Sequence, residues 1–166
     1  MPQPKVILDV KKMKTLVGYL VKGLPKVKVG IIGGQAQVKR ATETGESLTN
    51  AQIGFIHEFG RLQGTPRIPP RSFLQMPLRL YLDDFIKAKK DITREAFEKA
   101  IKSGQAAKFA EKIGLIAEEV IQTAFATQGF GNWEANRPST VAKKGSDTPL
   151  IDTGELRRSI SSEVIK

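Results

Sequence analysis

The apolar positions of this chain recur in two rhythms. Val27, Val29 and Ile31 alternate with Lys26, Lys28 and Gly30, which predicts a strand over 27–32 with one buried face. Ile160 and Val164 share one face of the stretch 159–165, which predicts a final strand. Elsewhere the spacing is helical. Met13, Leu16, Val17, Leu20, Val21 and Leu24 predict a helix that Asp9 would cap and that Gly23 and Pro25 would end, with Val6-Ile7-Leu8 ahead of it as a short strand or staple. Ile53, Ile56 and Phe59 predict a short helix opening near Ser47 or Thr49 and stopping at Gly60, a residue free to adopt positive φ. Leu74, Leu78, Tyr81, Leu82 and Phe85 mark another helix. Pro77 either kinks it or sits in its first turn, which would move its start to about Gln75. Ile86, Ile92, Ala96, Phe97, Ala100 and Ile101 continue in helical spacing to Ser103-Gly104. The narrowest stripe is Ala110, Ile113, Gly114, Ala117, Val120, Ile121 and Ala124, whose small residues suit close approach by another helix.

Between these patterns lie polar stretches. Residues 34–47 mix Lys39, Arg40, Glu43 and Glu46 with threonines and glycines and predict a surface loop. Residues 128–150 predict a Gly- and Lys-rich loop holding the only tryptophan, Trp133. Asp152 is placed to cap a short turn containing Leu156. The sum is a single α+β domain over 1–166: a small, mainly antiparallel sheet packed with three to four helices.

The stretch from Ile53 to Pro77 has the densest local signals. After Gly60, Pro66, Pro69 and Pro70 fix φ and hold the residues before them extended. Pro70 also suits the first turn of a helix begun by Arg71–Leu74. Such a loop is stiff in advance, which lowers the cost of ordering it on contact. It predicts a docking corner, with Phe59, Ile68, Phe73 and Leu74 anchored on the core and Arg67 and Arg71 facing a neighbour.

His57-Glu58-Phe59-Gly60, followed by Ile68-Pro69-Pro70-Arg71-Ser72-Phe73-Leu74, resembles the HEFG…IPARPFL signature of tail-completion, or head-to-tail joining, proteins of tailed phages. Pro70 stands where that pattern often has Ala, and Ser72 where it often has Pro. A second stretch is similar to the end of the related Mu-like virion morphogenesis proteins: Trp133, Pro138-Ser139-Thr140 with lysines after it, then Asp152-Thr153-Gly154, Leu156 and Arg157. Arg137-Pro138 departs from that pattern, which often has an apolar residue there. The two signatures cover about residues 50–80 and 128–165. The resemblance implies a non-enzymatic virion protein at the head–tail junction, assembled in host cytoplasm and acting as a homo-oligomer, by family symmetry a six-fold ring. Its implied partners are the head connector or head-completion protein and the tail tube or tail terminator protein. A tail terminator or another neck component is the alternative within that class.

Charge adds a reading from a different class. The chain of 166 residues carries a formal net charge of +10, which favours acidic partners and leaves open non-specific DNA contact, as in a basic packaging accessory. No zinc-finger, RNP or homeodomain pattern points to sequence reading. There is no cysteine, so disulfides and thiolate metal sites are excluded. No apolar run reaches the ~20 residues of a membrane span, and the N-terminus does not read as a signal peptide.

Catalytic chemistry finds little footing. His57 is the only histidine, and Arg61 occupies the second His position of H-E-x-x-H, so that zinc motif fails. Gly30, Gly33 and Gly34 fit neither phosphate-loop spacing. No G-x-S-x-G elbow occurs, and Asp83-Asp84 reads as a solvated helix face. The sequence therefore predicts no catalytic, cofactor or metal residues. For Asp152-Thr153-Gly154 it favours a capped turn that orders the last strand.

Overall fold

A computed structural model describes residues 23–41, 45, 47–61 and 67–165. The helix expected from Met13 and the segment expected at Val6 lie outside the described residues. Within them are seven helices and four strands. The fold is α+β, as the two rhythms predict, and its strands make two antiparallel pairs.

The first pair joins β1 (Lys26–Ile31) to β4 (Ile160–Ile165), with Ile31 opposite Ile160 and Val27 opposite Val164. Side chains alternate along a strand, so Val27, Val29 and Ile31 share a face with Ile160, Ser162 and Val164. That face meets a long helix, α5 (Ala106–Ala126), on which α3 (Gln75–Lys87) and α4 (Arg94–Lys102) also pack. Gly114 is where strand and helix come closest. A methyl group there would lie 2.6 Å from Ser162 Oγ and 3.3 Å from Val27 Cγ1. The small-residue stripe thus admits the strand pair at Gly114, where the pattern suggested a helix.

The hydrophobic centre is Phe73, Ile121, Phe125, Leu156 and Ile160, with the Phe73 and Phe125 ring centroids 5.2 Å apart. Burying side chains of this size contributes about 1.5–3 kcal/mol each. Phe73 ties the proline-rich corner to the core, as expected of it.

α2 (Asn50–Phe59) begins as predicted. Thr49 Oγ1 accepts from Gln52 N–H at 3.2 Å, and Gln52 Oε1 accepts from Thr49 N–H at 2.9 Å, a reciprocal cap. It ends at Gly60, whose φ is +76°. A side chain there would also press on Ile68 O and Pro70 N, both 2.8 Å from a Cβ. α3 (Gln75–Lys87) starts after Arg71–Leu74, so Pro70 lies ahead of the helix and not in its first turn as expected. Pro77 is the proline in its first turn, so the second of the two readings of Pro77 holds. A turn then separates α3 from α4 (Arg94–Lys102), where Thr93 Oγ1 accepts from Ala96 N–H at 3.1 Å.

Both stretches predicted as loops carry structure. Within 34–47 lie most of α1 (Gly33–Gln37) and β2 (Lys39–Ala41), which pairs with β3 (Ser47–Thr49). Within 128–150 lies α6 (Pro138–Lys144), with Pro at its first position and Gly145 in the left-handed region at its end. α7 (Glu155–Arg158) leads into β4 and buries Leu156. Its N-cap is Gly154, φ +75°, in place of the expected Asp152 cap. Among the described residues no helix is long and apolar enough to cross a membrane.

Candidate functional site

Glu58 sits in the last turn of α2 and is buried. Its carboxylate accepts four hydrogen bonds from the start of the next helix. Ser72 Oγ donates to Oε1 at 2.6 Å and Gln75 N–H at 2.9 Å, while Phe73 N–H and Leu74 N–H donate to Oε2 at 2.9 and 3.0 Å. Helix N-termini leave backbone N–H groups without partners and carry a positive partial charge. Leu74, the N-cap of α3, supplies no side-chain cap, and Glu58 fills that role from another helix. Ser72 Oγ in turn accepts from Met76 N–H at 2.9 Å.

Arg71 closes a second bridge. Its Nε donates to Glu134 O at 2.7 Å and its Nη2 to Ala135 O at 3.0 Å, while its backbone N–H donates to His57 O at 2.7 Å. Trp133 Nε1 donates to Ser72 O at 2.9 Å, and its ring meets Phe125 edge-on at 5.8 Å. The two signature stretches, far apart in the chain, are thus laced together at Ser72 and Arg71.

This arrangement corrects two expectations for the corner. Arg71 is 7% exposed and turned into its own subunit, so it does not project toward a neighbour. Phe59, expected as an anchor, is 53% exposed and pairs with Phe55, 64% exposed, at 4.8 Å. Of the remaining corner residues, Pro69 is buried, Ile68 and Leu74 are half-buried, and Pro70 and Arg67 are exposed. Arg61 and Ile68 exchange backbone hydrogen bonds of 2.8 and 2.9 Å, forming the neck from which Arg67 emerges. Beside Pro70, a shallow groove of about 440 Å³ runs past Met76, Leu80 and Trp133, and Tyr81 and Phe130 stack at its wall at 3.8 Å.

On the other side of His57 lies a cleft of about 380 Å³ that sequence reasoning did not find. Arg40 from β2, His57 from α2, Arg71 and Lys144 from α6 line it together with Asp152 and Glu155. Lys144 Nζ donates to Thr148 O at 2.9 Å. Arg40 Nε lies 3.3 Å from Glu155 Oε2 without the alignment of a hydrogen bond. Arg40 Nη2 and His57 Nδ1 are buried with no hydrogen-bond partner among the described residues. Burial, then the charges of Arg71, Lys144 and Arg40, push the His57 pKa from 6.5 down to about 4, so the imidazole is neutral at neutral pH. Burial also lowers the Lys144 pKa, opposed by Asp152. Nothing in the charge or spacing of these residues along the chain signalled that they meet.

Among the described residues no group of three or more His, Cys, Asp or Glu could hold a metal ion. No protein-family model, curated protein or solved structure matches this chain.

Proposed function

We propose that this chain is a structural virion protein at the head–tail junction of a tailed phage or prophage, completing the tail by assembling as a ring of identical subunits between the head connector and the tail. The observation that carries the reading is the lacing of the two signature stretches. Glu58 of His57-Glu58-Phe59-Gly60 holds the start of α3, and Trp133 and the carbonyls after it hold Ser72 and Arg71. Residues that carry the resemblance therefore form one rigid corner, the property a docking element needs if association is not to lose free energy to ordering.

Two surface features give that corner something to dock. Phe55 and Phe59 form an exposed aromatic pair on α2, just before the neck that presents Arg67. Aromatic side chains and arginine are enriched at the centres of protein interfaces. A ring needs two different surfaces that meet head to tail, and the groove beside Pro70 supplies a second apolar surface.

Deleting the gene from its phage should leave filled heads and finished tails lying apart in electron micrographs. The wild-type protein supplied in trans should restore joined particles, and a Phe55→Ser, Phe59→Ser double variant should not. Joined, infectious particles without the protein would end this reading.

A further inference from the structure

The cleft at His57 gathers cationic side chains. Three cations converge there from separate elements: Arg40 on the β2–β3 hairpin, Arg71 ahead of α3, and Lys144 at the end of α6. Like charges brought together in a partly buried space repel one another and give up hydration. Buried polar groups in folded proteins nearly always have partners, so each exception calls for a reason. Among the described residues of the cleft the exceptions are Arg40 Nε and Nη2 and His57 Nδ1, the imidazole being able to carry its proton on that nitrogen.

We propose that this cleft binds a single carboxylate group, held by Arg40, Lys144 and the His57 imidazole. Charge decides between anions. Asp152 and Glu155 line the cleft along with the three cations, so the fixed charges of the lining sum to one net positive, the complement of one carboxylate. A phosphate dianion would overfill that balance. The phosphates flanking one in a nucleic-acid strand would be repelled by the two acidic side chains of the lining, so the overall basic charge of the protein does not make this cleft a DNA site. The guanidinium of Arg40 offers the planar donors that suit a carboxylate. Its acidic neighbour among the described residues, Glu155, is poorly aligned with it and half-exposed, and so is displaceable by a better-placed acid. The site is separate from the aromatic pair and from the neck at Arg67, and it stands whether or not the chain acts at a head–tail junction.

The single histidine makes the test direct, because one imidazole signal in a proton NMR spectrum belongs to the cleft. An acetylated peptide amide containing glutamate, and acetate itself, should shift that signal saturably near neutral pH. The peptide with glutamine in its place should not. Carboxylate binding should raise the His57 pKa, since an anion favours the imidazolium. Affinity should therefore rise as pH falls toward that pKa. Arg40→Gln and Lys144→Gln, both at partly exposed positions, should each weaken the peptide by about tenfold or more while the unfolding midpoint stays near wild type. The proposal is overturned by any of three results: no saturable shift with either carboxylate, equal shifts from the two peptides, or tighter binding of inorganic phosphate or a short DNA duplex than of the glutamate peptide. Wild-type affinity in both variants would overturn it as well.

Discussion

His57 and Glu58 are neighbours in the chain and opposites in their surroundings. Glu58 is a buried charge with four donors aimed at it, all from one helix start. His57 is a half-buried, neutral ring among cations, with a buried nitrogen that has no partner among the described residues. One helical step separates a saturated polar centre from an unsaturated one. The contrast teaches how to tell polar groups that specify a fold from those that await something. Glu58 removes an orphan problem at the α3 N-terminus, and removing Glu58 would recreate it. Arg40 and His57 create such a problem, and the fold is held together elsewhere.

The strongest way to break the saturated side is Glu58→Ala. It strips the first turn of α3 of its acceptors and leaves a hole beside Phe73. Buried donors left without partners cost about 1–3 kcal/mol each, so a loss of about 4 kcal/mol is expected, read as a lowered urea midpoint. A loss under about 1 kcal/mol would mean that water replaces the carboxylate freely.

The next effect sharpens the other side through pH. The folded-state pKa of His57 lies near 4, below its ordinary 6.5, so the unfolded chain binds a proton that the native chain refuses. Stability from this group is full above about pH 6.5 and declines as pH falls to about 4, by about 3 kcal/mol in all. His57→Gln should flatten that slope in urea titrations taken across the window, after allowing for the carboxylates that titrate at its acid end.

The smallest effect separates the two neighbours most clearly. Arg40→Gln removes a cation from the unsaturated cleft together with a poorly aligned contact to Glu155. It should change stability by less than about 0.5 kcal/mol in either direction. It should also raise the His57 pKa, since Arg40 is one of the charges holding it down. A loss on the Glu58 scale would show the cleft to be structural.

Much of the framework was legible because its signals are periodic or local. The alternation in β1, the stripe on α5, the Thr49 and Gly60 bounds of α2 and the Phe73 anchor all follow from spacing or from one residue's backbone preference. The hairpin of β2 and β3 was not legible, because a pairing of three residues in a polar stretch is too short to show alternation. α6 did carry terminal signals in Pro138 and Gly145, but its lysines and flanking glycines read as loop. The site was the least legible. Arg71 looked exposed because buried arginines are rare, and only its partners at Glu134 and Ala135 explain its burial. Glu58 caps a helix that begins 17 residues later, and no local pattern encodes a cap at that distance.

The lone indole carries one practical consequence. Trp133 shares its N–H with Ser72 O, packs edge-on to Phe125 and crowds Gly129 so closely that no larger residue fits there. That ring is one of the ties that seat the proline corner on the core. The emission wavelength of a single fluorophore therefore gauges, without added dye, whether the corner is seated.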